Sequence, residues 1–337
     1  MVMKKFDVIA LGELLIDMTD NGSSSQGNTL FEANPGGAPC NVLAMLTKLR
    51  HSTGFIGKVG DDLFGRKLRE VLRELGIDTS NLCMDPECRT TLAFVETKAD
   101  GDRDFSFYRN PGADMQLKKS EIQEEMLAQA EIFHFGTLSM THEGVREATR
   151  YAAAYAKAQG ALISFDPNIR EPLWDSMDTA REQVEYGMGI CDILKISDNE
   201  IAWFTGETDY DRAVAKIREK YPVSLILLSM GKSGSRAYYK DICVDKSAFV
   251  QNGTIETTGA GDTFMGCMLH GVLEKGLENL NQEDLEEMLE FANAAASIIT
   301  TRKGALRVMP GEAEIRRFIS DFQSQAGADI KTEDNLY

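Results

Sequence analysis

The chain has 337 residues, 43% of them hydrophobic and 26% charged, with only 8 prolines. This length and composition suit one large α/β domain or two smaller ones, and they exclude a disordered or collagen-like protein. Lysine and arginine number 36 against 53 aspartates and glutamates, a formal net charge of −17. Nucleic acids and anionic membranes attract basic surfaces, so neither is expected as a partner, whereas a phosphate site built from backbone amides is compatible with this charge.

The first residues predict a β-strand rather than a signal or membrane segment. The apolar stretch after Lys4 and Lys5 is interrupted by Asp7, Glu13 and Asp17, and no run of about 18 apolar residues occurs in the sequence. The six cysteines form no CxxC pair. This pattern predicts reduced thiols and a cytoplasmic protein.

In chain order, apolar runs rich in Val, Ile and Phe alternate with helical patterns. Strands are predicted over 7–18, 53–60, 131–139, 161–167, 192–197 and 224–230, and helices over 39–50 and 142–159. Such alternation predicts a doubly wound α/β fold, in which helices flank a mostly parallel sheet on both faces.

One segment breaks the alternation. Residues 90–98 and 103–109 are two strand patterns joined by Ala-Asp-Gly-Asp, which is typical of a hairpin. A hairpin does not fit a βαβ unit, so we predict a small β lid outside the main sheet, formed from about 14–35 and 90–112. The polar segment 19–35 is interpreted as a mobile connection to this lid.

The predicted domain organisation is simple. Residues 1–325 are expected to form a single α/β domain that includes the lid, and residues 326–337 a polar, loosely held tail. Because an isolated hairpin has open edges, a homodimer formed through two lids is expected.

The strongest local motif is Thr-Thr-Gly-Ala-Gly-Asp at 257–262, directly before a helical pattern. Gly259, Ala260 and Gly261 form a small-residue turn that can direct backbone N–H groups at one point, and the helix dipole adds positive potential there. This pattern predicts an anion hole. Asp262, in the first turn of the helix, is placed to accept a proton from an attacking hydroxyl. The alternative is that Asp262 only complements the helix dipole while the glycines shape a tight loop.

Two further candidates lie near the amino terminus. In Pro-Gly-Gly-Ala-Pro-Cys-Asn, Gly36 and Gly37 allow a polar ligand to approach the backbone, and Asn41 offers a donor and an acceptor. Asp17 follows an apolar strand, where ligands gather in open α/β sheets. A structural turn and an exposed strand end are the open alternatives.

Other motifs are incomplete. Gly231-Lys232-Ser233 resembles the end of a Walker A loop, but Ile226 stands where that loop needs glycine. No GxGxxG follows the first strand, which disfavours a dinucleotide oxidoreductase. Four histidines lack metal-binding spacing and are interpreted as structural: His51, His134, His142 and His270.

Eight stretches in order resemble the ribokinase-like carbohydrate kinases of the pfkB family, most closely its fructokinases, over about residues 6–320. These stretches are GELLIDM (12–18), PGGAPCNVLAML (35–46), FIGKVGDDLFG (55–65), RTTLAFV (89–95), FSFYRNPGADM (105–115), FDPNIREPLW (165–174), LKISDNEI (194–201) and ETTGAGDTF (256–264).

The resemblance implies transfer of the γ-phosphoryl group of ATP to a sugar hydroxyl, most closely the 6-hydroxyl of D-fructose, with Mg²⁺. It implies that Asp262 is the catalytic base and that the backbone of 259–262 holds the transferring phosphoryl group. It also implies sugar contacts by Asp17, Gly36, Gly37, Asn41, Arg109, Asn168 and Arg170.

The same resemblance implies an ATP side made by Ser229, Gly231, Gly234 and Asn293, with Glu200 organising Mg²⁺ indirectly. Two residues depart from the family pattern. Ser197 stands where the family usually has Asn, and Glu256 stands where it usually has Asp. The second departure leaves the neighbouring site for a monovalent cation such as K⁺ open.

Two kinase alternatives and one of another class stay open. A 2-keto-3-deoxygluconate kinase or a riboside kinase would share the fold, although Asp17 would repel a substrate carboxylate. A non-catalytic homologue that binds sugar or nucleotide is the third alternative, and the intact Asp262 motif disfavours it.

Overall fold

The computed structural model describes residues 4–97, 103–251 and 253–333. Elements are numbered in chain order. The main sheet contains β1 (Phe6–Leu11), β4 (Thr53–Gly60), β5 (Asp78–Asp85), β8 (Ala130–Gly136), β9 (Leu162–Asp166), β10 (Ile193–Ser197), β11 (Leu225–Ser229), β12 (Ser235–Tyr239) and β13 (Ile242–Lys246). A second, small sheet contains β2 (Leu15–Ser23), β3 (Thr29–Gly36), β6 (Leu92–Thr97) and β7 (Arg103–Tyr108).

The α-helices connect the strands of the main sheet and follow its last strand. They are α1 (Ala38–Lys48), α2 (Leu63–Glu74), α3 (Glu124–Leu127), α4 (Glu143–Ala158), α5 (Met177–Ile190), α6 (Asp198–Thr205), α7 (Tyr210–Lys220), α8 (Ala260–Lys275), α9 (Gln282–Ile299) and α10 (Glu312–Glu333). None of the described helices combines the length and the apolar character that crossing a membrane requires.

The strand order of the main sheet reverses at β1. The spatial order is β13-β12-β11-β10-β9-β8-β1-β4-β5, and only the β11–β12 and β12–β13 pairs are antiparallel. The chain builds outward from β1 to β4 and β5, and then returns to the other side of β1 through β8. In open α/β sheets, ligands bind outside the carboxyl ends of the strands at such a reversal.

Two apolar cores lie on opposite faces of the main sheet. Alternate residues of β1 divide between them, with Val8 and Ala10 in one core and Ile9 and Leu11 in the other. Helices α1, α2, α8, α9 and α10 cover the first face, and α3 to α7 cover the second. Because both faces are covered, the strands have the near-continuous apolar sequences noted above. The predicted doubly wound fold is confirmed.

The predicted single strand over 7–18 is wrong, because the chain leaves the main sheet between β1 and β2. A side chain at Gly12 would place its Cβ 2.5 Å from Pro39 Cγ, so the break allows α1 to approach closely. Glu13 turns its carboxylate to the start of α1, where Oε1 accepts a hydrogen bond of 2.8 Å from the Ala38 amide.

The small sheet has the order β3-β2-β6-β7, and it contains both segments assigned to the lid. The interpretation of 19–35 as a loop is wrong, since β2 and β3 pair antiparallel across most of it. This hairpin is largely exposed on both faces, so it lacks the alternation that marks a half-buried strand. The predicted turn between β6 and β7, at 98–102, lies outside the described residues.

The last helix continues beyond the predicted end of the domain. The backbone of α10 is helical from Glu312 to Glu333, so most of the segment 326–337 is not extended chain. Residues 334–337 lie outside the described part. That residues 1–325 form a single domain stays a prediction.

Candidate active site

A cleft of about 340 Å³ opens at the carboxyl ends of the strands next to the reversal point. Its walls come from the loops after β1, β8 and β9, from the amino ends of α1 and α8, and from the small sheet. Eight of the residues singled out in the sequence line it: Asp17, Gly37, Asn41, Asn168, Arg170, Gly259, Gly261 and Asp262. The structure therefore brings together motifs that are up to 245 positions apart in the chain (262 − 17).

The amino end of α8 is open to the cleft. Gly259 has φ 77°, a left-handed conformation that favours glycine, and α8 begins at the next residue, Ala260. Among the described residues, no side chain caps this helix. A side chain at Gly261 would place its Cβ 3.2 Å from Lys195 Nζ. The first-turn amides and the helix dipole therefore offer positive potential next to a cationic side chain.

Asp262 lies at this helix end and is 9% exposed. Asn41 Nδ2 donates a hydrogen bond of 2.8 Å to Asp262 Oδ2, which joins the glycine-rich motifs of α1 and α8. Burial raises the pKa of Asp262, while the Asn41 hydrogen bond and the charges of Lys195 and Arg170 act to lower it. A buried carboxylate with a raised pKa is a stronger proton acceptor than an exposed one, as general-base catalysis requires.

The buried amide of Asn41 has one atom without a partner. Its Oδ1 makes no hydrogen bond with any described group, although its Nδ2 is satisfied by Asp262. A buried acceptor left without a donor costs free energy, and a ligand hydroxyl in the cleft would satisfy it. This arrangement fits the predicted role of Asn41 in holding a polar ligand.

Lys195 is a cleft residue that the sequence analysis did not single out. It lies in β10, is 6% exposed, and places Nζ 2.9 Å from Asp166 Oδ2. Burial opposes its charge, but the carboxylates of Asp166, Glu200 and Asp262 outweigh burial and raise the pKa of Lys195. It therefore stays cationic beside the predicted anion hole. A lysine inside an otherwise apolar strand was the available signal.

Glu13 was also missed. It lines the cleft, is 4% exposed, and burial raises its pKa to about 7 against the hydrogen bond from the Ala38 amide. The sequence feature that could have identified Glu13 is its position: a carboxylate in the short break between two apolar runs, four residues before Asp17. Together with Asp17 and Asp262, Glu13 gives the cleft three carboxylates.

The small sheet contributes one wall of the cleft. Asp17 is paired in register with Ala93, and Ala93 with Phe107, so the three side chains lie in a row on one face. Asp17 and Phe107 of this row line the cleft. A side chain at Gly36 would collide with the Asp17 carboxylate, so Gly36 allows Asp17 its position.

The structure does not bring Arg109 to the cleft lining. Its guanidinium is buried and donates from Nε to Asp114 Oδ2 over 2.7 Å, from Nη1 to Thr141 Oγ1 over 3.0 Å, and from Nη2 to the Leu138 carbonyl over 2.9 Å. Leu138 lines the cleft, so Arg109 supports the wall from behind. Sequence reasoning could not separate these roles, because the partners of Arg109 are set by tertiary structure.

Glu200 also has its carboxylate committed within the protein. Oε2 accepts hydrogen bonds from the amide and hydroxyl of Ser197 over 2.9 and 2.7 Å, and Oε1 accepts one of 2.8 Å from the Ile169 amide. Ser197 therefore caps α6 in place of the usual Asn. Glu200 connects this cap to the loop that carries Asn168 and Arg170. Its indirect role toward Mg²⁺ stays a prediction.

The four residues assigned to ATP are not among the lining residues of this cleft; three lie at the end of β11 and in the turn to β12, and Asn293 lies on α9. Ser229 ends β11, in register with Ser197 of β10. Gly231 and Gly234 have φ 53° and 103°, which favour glycine. Asn293 accepts a hydrogen bond from Ser235 Oγ over 2.8 Å and donates to backbone carbonyls at the end of β13. Their role in nucleotide binding stays a prediction.

Comparison with known proteins agrees with this geometry. The model of the pfkB family of carbohydrate kinases matches residues 5–311. Probable fructokinase-2 of Arabidopsis thaliana is 39% identical over 314 residues, which cover 93% of this chain and 95% of that protein.

Among solved structures, a fructokinase of Xylella fastidiosa with bound ATP superposes with a TM-score of 0.85 and 28% identity, covering 94% of this chain and 99% of the other. A fructokinase double mutant of Vibrio cholerae with fructose, ADP and a potassium ion superposes with a TM-score of 0.84 and 27% identity, with the same coverage. The chain therefore belongs to the pfkB family of carbohydrate kinases.

Proposed function

We propose that the protein is a fructokinase, which transfers the γ-phosphoryl group of ATP to the 6-hydroxyl of D-fructose. The observation that carries the proposal is the position of Asp262, which is buried in the cleft, hydrogen-bonded by Asn41 and adjacent to the open amino end of α8. Fructokinases of known sequence and structure support the choice of fructose.

Phosphoryl transfer depends on positioning and on neutralising charge more than on covalent chemistry. In the proposed reaction, Asp262 accepts the proton of the attacking sugar hydroxyl. The first-turn amides of α8 hold the migrating phosphoryl group, and Lys195 neutralises part of its charge from the Gly261 side. Arg170, which also lines the cleft, is placed to contribute a second positive charge.

Mg²⁺ would enter with ATP as part of the substrate and would neutralise part of the phosphate charge. The buried residues fit such a substrate, because Asp166 Oδ1 has no hydrogen-bond partner among the described groups and lies next to the cationic Lys195. Glu200 would act through the Ser197 cap and the loop at Ile169 rather than by direct contact.

The charge of the sugar end favours a neutral substrate. Glu13, Asp17 and Asp262 all line the cleft, and a substrate carboxylate would face repulsion from each of them in its ionised form. We therefore rank 2-keto-3-deoxygluconate below fructose. A coupled assay with ATP and fructose, ribose, ketodeoxygluconate or nucleosides tests this order, and preferential turnover of the sugar acid would reject it.

A dependence on K⁺ is a further part of the proposal. Glu256, which stands where the family usually has Asp, is 8% exposed and lies directly before the loop that leads to Gly259. Replacing K⁺ by Na⁺ in the fructose assay should lower turnover. Equal rates in the two salts would show that the longer side chain does not support such a site.

We also propose a homodimer formed through the outer face of the small sheet. Phe31, Phe94 and Tyr108 make an aromatic cluster there, with ring centroids 5.2 and 5.1 Å apart, and Phe31 and Tyr108 are 45% and 67% exposed. Burying such a patch favours association. Light scattering should show a dimer for the wild type and a shift to monomer for Phe31→Ser, and a wild-type monomer at micromolar concentration would refute the proposal.

A further inference from the structure

A second cavity, of about 510 Å³, lies beside the carboxyl-terminal half of α8 and the end of α1. His270 and Glu274 stand one helical turn apart on α8 and both line it, together with His51, which follows α1. Asp262 lies eight residues before His270 on the same helix, a rise of about 12 Å. This cavity is therefore separate from the candidate active site.

Three potential metal ligands converge in the second cavity. One ligand atom from each of His51, His270 and Glu274 lies within 4.8 Å of the other two. His51 Nε2 and His270 Nδ1 are 2.8 Å apart and share a hydrogen bond. No motif in the sequence indicated this pair, because 219 positions separate the two histidines.

The surroundings of His51 match those of a metal-binding imidazole. Asp7 Oδ2 lies 3.4 Å from His51 Nδ1, and the same oxygen is fixed by the amide and hydroxyl of Ser52 over 2.7 and 2.9 Å. A carboxylate behind the ring favours a proton on Nδ1, which leaves Nε2 with a lone pair directed at His270. Metal-binding histidines commonly have such a carboxylate partner.

Two cations that line the cavity are paired with other carboxylates, which leaves Glu274 available as a metal ligand. Lys275 is paired with Asp284 and Glu287 over 2.8 and 2.9 Å, and Arg316 with Glu312 over 2.9 Å. The side chain of Glu274, by contrast, makes no hydrogen bond or ion pair with any described residue.

From these contacts, we propose that His51, His270 and Glu274 bind a divalent transition metal, with Zn²⁺ as the best fit and a solvent molecule as fourth ligand. Two imidazoles and one carboxylate are a ligand set that Zn²⁺ accepts in tetrahedral geometry. Zn–N bonds of about 2.0–2.1 Å at tetrahedral angles place two ligand nitrogens about 3.3 Å apart. The rings must therefore separate by about 0.5 Å from their hydrogen-bonded distance, with loss of the shared proton.

The test is titration of the purified protein with Zn²⁺ alone, without nucleotide, followed by calorimetry, and with Co²⁺ followed by its visible absorption. We expect one ion per chain and a Co²⁺ spectrum typical of tetrahedral nitrogen and oxygen ligands. His270→Gln and Glu274→Gln should each weaken binding by about tenfold or more, and Asp7→Asn by about 10–100-fold through the orientation of His51.

His142→Gln is the matched control, because His142 is exposed and lies outside the cavity. It should bind Zn²⁺ as the wild type does. Glu274 is exposed, so its substitution should leave the circular dichroism spectrum unchanged and report on binding even if His270→Gln unfolds. Absence of stoichiometric binding, or equal affinity in wild type and Glu274→Gln with an unchanged Co²⁺ spectrum, would overturn the proposal.

Discussion

Asp262→Asn separates the catalytic interpretation of this residue from a structural one. The variant keeps the shape of the side chain, and its carbonyl oxygen can still accept the hydrogen bond that Asn41 Nδ2 donates over 2.8 Å. It loses only the ability to take a proton. General-base catalysis contributes about 10²–10⁴-fold, so we expect turnover to fall by that factor, equivalent to about 2.7–5.4 kcal/mol.

The Asp262→Asn variant should be at least as stable as the wild type, although it loses activity. Burial raises the pKa of Asp262, so the folded state binds the proton more tightly than the unfolded state does. The stability that this group contributes is therefore present at low pH and is lost as the pH rises through its folded-state pKa. Above that pH the ionised side chain destabilises the fold and Asn removes this penalty, so the melting temperature there should equal or exceed that of the wild type.

Steady-state kinetics with ATP and fructose, together with thermal unfolding at the same pH, measure both effects. Asp178→Asn is the matched control, because Asp178 is also an acid in the first turn of a helix but is exposed on α5. If the role of Asp262 were only to complement the helix dipole, both variants would lose a little stability and keep their turnover. Near-normal turnover in Asp262→Asn would refute the base assignment.

Three further substitutions test the rest of the cleft. Lys195→Met should lower kcat by about 10²–10³-fold. It should also destabilise the fold by about 3–5 kcal/mol, because Asp166 stays buried without its cation. Adding Asp166→Asn should restore the melting temperature but not kcat, and recovery of both would rule out a catalytic role for Lys195. The pKa of about 7 for Glu13 means that its stabilising contribution is full below pH about 4.5 and is lost as the pH rises to 7. Glu13→Gln should therefore remove up to about 3 kcal/mol of pH-dependent stability over that range, and an unchanged pH profile of unfolding would contradict this. Phe107→Ala should raise the ratio of ATP hydrolysis to fructose phosphorylation by admitting water, and a constant ratio would argue against a shielding role for the small sheet.

The main sheet could be predicted because its inner strands share one sequence pattern, a nearly continuous run of apolar residues. Strands such as β4 and β11 are covered on both faces, so their residues are mostly apolar or small, and the predicted ranges 53–60 and 224–230 match them within a residue. The antiparallel strands β12 and β13 escaped prediction. They contain Arg236 and Asp245, which pair with each other, and Tyr238, whose hydroxyl donates to Asp211 over 2.8 Å. Their sequence therefore lacks the uniform apolar character of the inner strands.

The motifs predicted the site only in part. A motif indicates its local backbone conformation, but it does not show which distant residues its side chains contact. Gly259 and Gly37 could be identified from sequence, since positive φ angles at the start of a helix require glycine there. The hydrogen bond between Asn41 and Asp262 could not, because it spans 221 positions. The partners of Arg109 could not be predicted either, since its hydrogen bond to Asp114 is set by tertiary structure.

The buried charges of the cleft are themselves an argument for chemistry at this place. Burial raises the pKa values of Glu13, Asp166 and Asp262, and Lys195 pays a similar desolvation cost that only its carboxylate neighbours outweigh. Apolar side chains of the same size would fold at least as well, since a buried ion pair contributes little net stability. Three of these groups, Glu13, Lys195 and Asp262, line one cleft near the reversal point of the sheet, and Asp166 is buried beside Lys195. Such a cluster gives up stability for reactivity. Phosphoryl transfer can use such groups, because it needs a proton acceptor for the attacking hydroxyl and positive charge near the migrating group.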